Sequence, residues 1–489
     1  MKKTETGNSY KSILKYIGLF GGVEFINIFV SLIRNKLIAV LLGPNGFGFI
    51  SLLNSTIKVF SESTNLGVSF SAVRQISDFF EIESNNEKSD THAYPKTLHY
   101  IKVVRSWSLL TGCLGAFLCV VMAPLLNQWT FTWGDHTLHF MLLAPVVFFA
   151  AITGGELAIL KGTRHLKALA QISVLNVFCA LVISIPLFYF FRQKGIIPSL
   201  NIVALAAYLI TVAYSYRFYT VRRGKEKFFA DGLEMLKIGV FFTLAGIAGS
   251  CAEMIIRTYL NNVADLDMVG LYNAGFMICV TYAGMVFAAM ETDYFPRLSA
   301  VYHDAVKMNA TINHQIEVSL LIVGPMLVAL IIFLPFVIPI LFSSKFMAVV
   351  PMAQIAILAM FLHAVDLPIE YLPLAKGDSV TYLIVEAIYD VIFVLLLIFG
   401  YQHWGLIGTG IALLAAHLIN AVGVIAYYSW RYKVRLSQKV LVIFSILTIL
   451  GMMAYVFTLT LSGIVYWALG SMALIVTSLV SYIIFKRFE

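Results

Sequence analysis

The sequence predicts an all-α polytopic membrane protein with about fourteen transmembrane helices. Of its 489 residues, 60% are hydrophobic and only 12% are charged, whereas soluble domains carry about 25% charged residues. Apolar runs of about 20 residues, the length that crosses a bilayer, follow one another along the whole chain. A water-soluble fold would need far more polar surface than these residues supply, so the expected solvent is the bilayer.

The positions of the apolar runs and of the basic residues predict the topology. An even number of spans places both termini on one side, and Lys and Arg concentrate on the cytoplasmic side. The densest basic clusters, within 217–227 and 431–439, fall on the side of the termini. We therefore expect a multi-pass membrane protein with both termini in the cytoplasm. The predicted spans are 12–42, 46–80, 98–126, 136–160, 167–191, 198–219, 232–262, 268–298, 311–342, 349–374, 380–401, 405–430, 439–459 and 463–485.

Short landmarks recur in the two halves of the chain and indicate an internal repeat. A Lys-Gly pair follows the fourth span at Lys161 and the tenth at Lys376, and a glycine opens the sixth span at Gly195 and the twelfth at Gly405. Even spans match even spans, so the two halves have the same orientation in the membrane, an arrangement in which substrate sites lie between the halves. The repeat predicts an N-lobe over 1–222, a C-lobe over 223–436 and an appended helix pair over 437–489.

Three predicted spans carry polar residues at helical spacing. Intervals of three and four place such residues on one face of a helix, and charges inside membrane spans usually face a bundle interior or a water-filled cavity. The sequence therefore predicts that the first, second and seventh spans line a polar cavity. The three stripes are Glu24, Asn27, Ser31 and Arg34; Asn54, Lys58, Glu62 and Asn65; and Ser250, Glu253, Arg257 and Asn261.

Simpler interpretations of these charges stay open. Lys58 and Glu62 are four residues apart, as are Glu253 and Arg257, so each pair could neutralise itself within its own helix. Arg34 could be an interfacial anchor whose long side chain reaches the headgroups. His363 and His417 show no metal-ligand spacing and are interpreted as polar packing. No metal site and no disulfide framework are predicted, because the five cysteines lie in apolar runs without CxxC spacing.

The sequence contains no motif of a common enzyme class. Walker A, HExxH and GxSxG patterns are all absent. We therefore expect a transporter and not an enzyme, with no cofactor and no nucleic acid among its partners. Without an ATPase domain, transport would draw on an ion gradient, the membrane potential or the gradient of the substrate.

Three segments resemble the O-antigen and polysaccharide flippases of Wzx type, in the multidrug/oligosaccharidyl-lipid/polysaccharide exporter superfamily. Residues 34–48 (RNKLIAVLLGPNGFG) are similar to the first-loop signature of those flippases, 292–299 (TDYFPRLS) to the end of their eighth helix, and 341–346 (LFSSKF) to a turn of theirs. The resemblance implies two six-helix lobes in a V around a central cavity, plus two C-terminal helices. It also implies an undecaprenyl-diphosphate-linked oligosaccharide as substrate, moved from the cytoplasmic to the periplasmic leaflet by alternating access.

The resemblance gives the polar stripes their expected roles. Membrane lipids, a polysaccharide polymerase and a chain-length regulator are the expected partners besides the substrate. Whether transport is coupled to an ion stays open, as do two alternatives on the same fold, a cation-coupled multidrug exporter and a lipid II flippase. The expected substrate-binding residues are Arg257, Lys58, Arg34, Asn27, Asn54 and Asn261, and the expected ion-coupling residues are Glu24, Glu253 and Glu62.

Overall fold

The computed structural model describes residues 3–86, 95–220, 228–236 and 240–486, and these residues contain α-helices, two 3-10 turns and one π-helical segment but no β-strand. The all-α fold is thus confirmed. The helices are α1 Lys3–Asn65, α2 Val68–Asn86, α3 Pro95–Thr130, α4 Thr137–Met141, α5 Ala144–Gly162, α6 Leu166–Phe191, α7 Ile196–Phe218, α8 Phe228–Leu236, α9 Val240–Val263, α10 Leu266–Phe276, α11 Ala283–Val301, α12 Ala305–Leu341, α13 Val350–Lys376, α14 Ser379–Tyr432, α15 Gln438–Thr460 and α16 Gly463–Lys486.

Two of the longest helices are divided by a glycine. Gly43 in α1 has φ 67°, and Gly405 in α14 has φ 58°. Residues with a side chain rarely adopt this left-handed conformation, whereas glycine enters it without a steric penalty. Each glycine therefore interrupts the helix and separates two spans that were predicted individually from the sequence.

The observed helices agree with the predicted number of spans. Ten stretches of the described chain are long and apolar enough to cross a membrane. Three of these stretches, of 44, 53 and 54 residues, are each about twice the length of a single crossing. They are divided at Gly43, at the 3-10 turn Arg192–Gly195 and at Gly405. Counting these three twice gives thirteen crossings, and α9, a helix of 24 residues outside the ten stretches, brings the number to fourteen. The protein is thus a multi-pass membrane protein.

The chain divides into two compact units, here called unit 1 (1–254) and unit 2 (255–489). The unit boundary lies within α9. The predicted lobe boundary at 222 falls in a segment outside the described residues, together with most of the basic cluster within 217–227. The division into lobes therefore stays a prediction, as does the arrangement of the lobes in a V.

Each unit has a core formed by close helix packing. In unit 1, Gly162 at the end of α5 packs against Ile76 of α2 at a distance that leaves no room for a side chain. In unit 2, α13 is the most enclosed of the described membrane-spanning helices, and it packs against both α12 and α14. Gly410 of α14 faces the backbone carbonyl of Met352 in α13, again without room for a Cβ atom. By contrast, α15 and α16 present many large apolar side chains outward, as helices in contact with lipid do.

The sequence landmarks of the repeat lie at helix ends. Gly162 is the last residue of α5, and Gly377 ends α13 in the left-handed conformation that glycine favours at this position. Asp378, directly after it, accepts a hydrogen bond from the Thr381 amide and caps the start of α14. The Lys-Gly pairs therefore mark the same local event, the end of a membrane helix, in both halves of the chain.

Candidate functional site

An ion pair joins the second half of α1 to α9 within unit 1. Lys58 Nζ lies 2.9 Å from Glu253 Oε1, and the two side chains are 45% and 33% exposed. In the described chain Lys58 pairs with this acid on another helix and not with Glu62 on its own helix. The polar stripes of the second and seventh spans therefore meet, which the helical spacing alone could not establish.

Glu62 lies one turn further along α1 and faces the same helix. Its Oε2 atom lies 3.7 Å from the position that a Cβ atom on Gly246 of α9 would occupy. That oxygen is buried and has no hydrogen-bond donor among the described residues. A buried polar atom without a hydrogen-bond partner is costly in an apolar environment.

The first stripe is only partly exposed. Asn27 donates a hydrogen bond of 2.7 Å to Ser173 Oγ in α6, so it contributes to helix packing. Arg34 is half-buried, and its Nε is buried without a hydrogen-bond acceptor among the described residues. Glu24 and Asn54 are exposed. The predicted roles of these four residues stay predictions.

The predicted residues of unit 2 are buried. Arg257 is 7% exposed, and its Nη2 donates to Asn273 Oδ1 of α10 at 3.2 Å. Asn261, one turn further along α9, is 1% exposed. A buried guanidinium in a membrane protein needs hydrogen-bond acceptors, and an amide oxygen supplies one without a negative charge.

Unit 1 also contains a buried ion pair that the sequence analysis missed. Arg105 of α3 contacts both carboxylate oxygens of Glu156 of α5, at 2.8 and 3.1 Å, and the two side chains are 2% and 3% exposed. Ser215 of α7 donates to Glu156, and the Arg105 guanidinium lies 3.8 Å from the centre of the Tyr216 ring. The sequence did contain a signal for this pair, because Glu156 is a carboxylate inside an apolar run and such a residue needs a partner.

A second missed cluster lies in unit 2 and joins α13 to the second half of α14. His363 Nδ1 lies 3.1 Å from Asp366 Oδ1, and His417 Nδ1 lies 3.6 Å from Asp366 Oδ2. Asn420 donates to Asp366 Oδ2 at 3.2 Å and to Glu370 Oε1 at 2.6 Å. The two histidines were interpreted individually because 54 residues of sequence separate them from each other, and the fold brings them onto one carboxylate.

Comparisons with known proteins identify the family. The family described as "Polysaccharide biosynthesis protein" matches residues 37–351. An uncharacterized membrane protein in the cps region of Klebsiella pneumoniae is 24% identical over 324 residues, which cover 63% of this chain and 64% of that protein. The match thus spans less than two thirds of the length of this relative.

Two solved structures share the fold. The lipid II flippase MurJ in an inward closed conformation has a TM-score of 0.69 at 15% identity, covering 96% of this chain and 99% of the other. A multidrug resistance MATE family transporter of the MOP superfamily, facing inward, has a TM-score of 0.67 at 14% identity, covering 83% and 94%. The resemblance found in the three sequence segments is thereby confirmed: the chain belongs to the polysaccharide biosynthesis protein family, with the fold of MATE transporters and MurJ.

Proposed function

We propose that this protein is a flippase for a lipid-linked oligosaccharide. Its substrate would be an undecaprenyl-diphosphate-linked repeat unit of an O-antigen or related polysaccharide, moved from the cytoplasmic to the periplasmic leaflet of a bacterial inner membrane by alternating access. Membership of a polysaccharide biosynthesis family supports this proposal. A relative in a cps region and a fold shared with a lipid II flippase also support it.

The observation that carries the proposal is the exposed ion pair between Lys58 and Glu253. Lys58 lies in an apolar stretch long enough to cross a membrane and Glu253 lies in the 24-residue helix α9, yet their side chains are 45% and 33% exposed. Charged groups are rarely exposed to hydrocarbon at membrane depth and usually face a water-filled cavity. A hydrated space beside this pair is what a charged substrate would need in order to cross.

A diphosphate requires such a space because an unpaired ion is very costly to transfer into an apolar medium, by tens of kcal/mol in the idealised limit. Lys58, Arg257 and Arg34 would donate charge-assisted hydrogen bonds to the phosphate oxygens. Asn27, Asn54 and Asn261 would donate to the sugars. The polyprenyl tail is itself apolar and would stay in the lipid.

Coupling to an ion is part of the proposal. Glu62 has a buried carboxylate oxygen without a donor among the described residues, and this makes it one candidate for the ion-coupling residue. Glu253 holds Lys58, so protonation of Glu253 would release that ammonium group to the substrate. Glu24, exposed on the first span, is the third candidate. A polysaccharide polymerase and a chain-length regulator would act on the product of the transport step.

The experiment is complementation of a deletion strain, with surface polysaccharide as the readout. Arg257→Ala is expected to reduce export at least about tenfold at normal membrane abundance. The reason is that a hydrogen bond to a charged group contributes about 1.5–3 kcal/mol, and each 1.4 kcal/mol is a factor of ten. Arg164→Ala is the control, because Arg164 pairs with Glu81 on the surface and both side chains are more than half exposed. Normal export by the Arg257 variant would remove Arg257 from the site.

A charge swap separates substrate binding from simple pairing. The double variant Lys58→Glu with Glu253→Lys preserves the ion pair but moves the ammonium group to the other helix. If the pair only holds the helices together, the double variant should regain the export that the single Lys58→Glu variant loses. If Lys58 meets the phosphate, export stays low in the swap although the protein is stable.

The same strain distinguishes the two alternatives on this fold. Increased drug sensitivity of the deletion strain with intact surface polysaccharide would identify a multidrug exporter. Rescue of cells depleted of their lipid II flippase, again with intact surface polysaccharide, would identify a lipid II flippase. Accumulation of lipid-linked oligosaccharide in the deletion strain is the result that the proposal requires.

A further inference from the structure

Unit 2 contains three ligand-type side chains that converge in its core. His363 and Asp366 lie one turn apart on α13, and His417 comes from the second half of α14. One ligand atom from each, two imidazole nitrogens and a carboxylate oxygen, lie within 4.8 Å of one another. Asp366 is fully buried, and the His417 side chain is 8% exposed.

The His417 ring points an unsatisfied nitrogen at the carboxylate. Its Nε2 lies 3.2 Å from the Tyr389 hydroxyl, which fixes the orientation of the ring. Its Nδ1 lies 3.6 Å from Asp366 Oδ2, beyond hydrogen-bonding distance, and has no hydrogen-bond partner among the described residues. Buried imidazole nitrogens are normally satisfied. A cation between this nitrogen and the carboxylate would give the nitrogen the partner that it lacks.

The spacing of the three atoms suits a small divalent metal ion. Zinc binds imidazole nitrogen and carboxylate oxygen at about 2.0–2.2 Å in tetrahedral geometry, which places neighbouring ligand atoms about 3.3–3.6 Å apart. His363 Nδ1 lies 3.1 Å from Asp366 Oδ1, His417 Nδ1 lies 3.6 Å from Asp366 Oδ2, and one ligand atom from each of the three side chains lies within 4.8 Å of the others. Two histidines and one carboxylate are also the ligands that first-row transition metals select, whereas sodium, magnesium and calcium favour oxygen ligands.

A second set of residues holds the ligands in place. Asn420 donates a hydrogen bond to Asp366, and Tyr389 contacts the far nitrogen of His417. Such outer contacts fix the orientation of metal ligands in known sites. His363 keeps a quarter of its side chain exposed, so one of the three ligands lies partly at the surface of the helix pair.

We propose that His363, Asp366 and His417 bind one divalent first-row transition-metal ion. The metal would clamp α13 to the second half of α14, inside unit 2. This inference is independent of the proposed transport function, because it requires only the geometry of these three residues. The fourth ligand position would be held by water.

The test uses the purified full chain in detergent, carrying an affinity tag without histidine, and zinc as the probe. Wild-type protein should bind one Zn²⁺ per chain in competition with a chromophoric chelator, and Zn²⁺ should raise its unfolding temperature while Na⁺ and Mg²⁺ do not. His417→Gln and Asp366→Asn should abolish both effects. The Tyr389→Phe variant, which keeps all three ligands, should weaken binding about tenfold, as losses of outer contacts do.

The matched control is His403→Gln. His403 is an exposed histidine of the same unit, and its Nδ1 lies 2.8 Å from the carbonyl oxygen of Phe399 in its own helix. This variant should bind zinc like the wild type. X-ray absorption at the zinc edge should show two imidazole nitrogens in the first shell.

Three results would overturn the proposal. The first is wild-type protein that binds no zinc, and the second is zinc binding that is unchanged in both His417→Gln and Asp366→Asn. The third is an absorption spectrum without imidazole ligands. If either ligand variant fails to fold, the Tyr389→Phe variant and the absorption spectrum still decide, because both leave the ligands intact.

Discussion

Each unit of the protein buries a carboxylate inside its helices, but the two carboxylates are satisfied in opposite ways. Glu156 in unit 1 accepts hydrogen bonds on both oxygens from Arg105, a permanently charged partner, and a further one from Ser215. Asp366 in unit 2 is surrounded by His363, His417 and the amide of Asn420. The charge of Glu156 is neutralised by the Arg105 guanidinium, whereas Asp366 is surrounded by side chains that could share a bound cation with it.

The difference follows from the chemistry of the partners. Arginine stays protonated under all physiological conditions and fits a carboxylate with two parallel hydrogen bonds. Histidine is near neutral at physiological pH and offers either a proton or a lone pair. Glu156 is therefore expected to be structural, whereas Asp366 belongs to the proposed metal site. Burial of an acid in a membrane helix therefore does not by itself indicate a role in transport.

The largest effect is expected from breaking the pair in unit 1. Glu156→Ala leaves the Arg105 guanidinium buried without its counter-charge, and removing one partner of a buried pair costs about 3–5 kcal/mol. Little folded protein should reach the membrane, as measured by fluorescence-detected size-exclusion chromatography. The double variant Arg105→Leu with Glu156→Leu should recover folding, because apolar residues of similar size often replace a buried pair without loss. A stable single variant would show that Glu156 is not structural.

A smaller effect is expected at the corresponding acid of unit 2. Asp366→Asn preserves the shape of the side chain and loses only the charge, so the free energy of unfolding should fall by about 1–3 kcal/mol. The measurement is thermal unfolding in detergent without added metal. A loss as large as that of Glu156→Ala would mean that both acids are structural and would remove the contrast between the units.

The smallest effect is expected at Asp378, a carboxylate outside the membrane-spanning segments. Burial alone would raise its pKa, but hydrogen bonds from Arg431, Tyr432 and Thr381 outweigh this effect and lower the pKa to about 2. Since the pKa of an unfolded aspartate is about 4, the contribution to stability is complete above pH 4 and is lost as the pH falls from about 4 to about 2.

Asp378→Ala should therefore lower the free energy of unfolding by about 1 kcal/mol at neutral pH, as the loss of a helix cap does. The measurement is thermal unfolding of wild type and variant between pH 7 and pH 3, where the gap should narrow below about pH 4. A gap that stays constant with pH would show that the carboxylate charge contributes nothing. The result measures how much a partly exposed acid contributes to the free energy of unfolding, and this can be compared with the contributions of Glu156 and Asp366.

The sequence predicted the helices well because hydropathy and glycine act locally. The spans on either side of Gly405 are predicted separately, and in the structure they are the two halves of α14, divided at a glycine that is also a landmark of the repeat. The helix ends at Gly162 and Gly377 were likewise predicted from the Lys-Gly pairs. These features depend on a few neighbouring residues.

The site was less predictable because its contacts join distant segments. The spacing of Lys58 and Glu62 suggested a pair within one helix, whereas the observed partner of Lys58 is Glu253, 195 residues away. The stripe containing Asn27 predicts the lining of a cavity, and this role stays a prediction; the hydrogen bond that Asn27 donates to Ser173 of another helix could not be predicted from the stripe. Helical periodicity gives the face of a side chain and not the helix that covers it.

The most direct test of the proposed function is a flipping assay with the purified protein in lipid vesicles. Fluorescent undecaprenyl-diphosphate oligosaccharide would be placed in both leaflets, and quenching from outside would report exchange between them. The wild type and the Arg164→Ala control should exchange the lipid, whereas Arg257→Ala should slow exchange at least about tenfold, for the loss of a charge-assisted hydrogen bond. Exchange at the rate of protein-free vesicles, or equal rates for wild type and Arg257→Ala, would contradict the account.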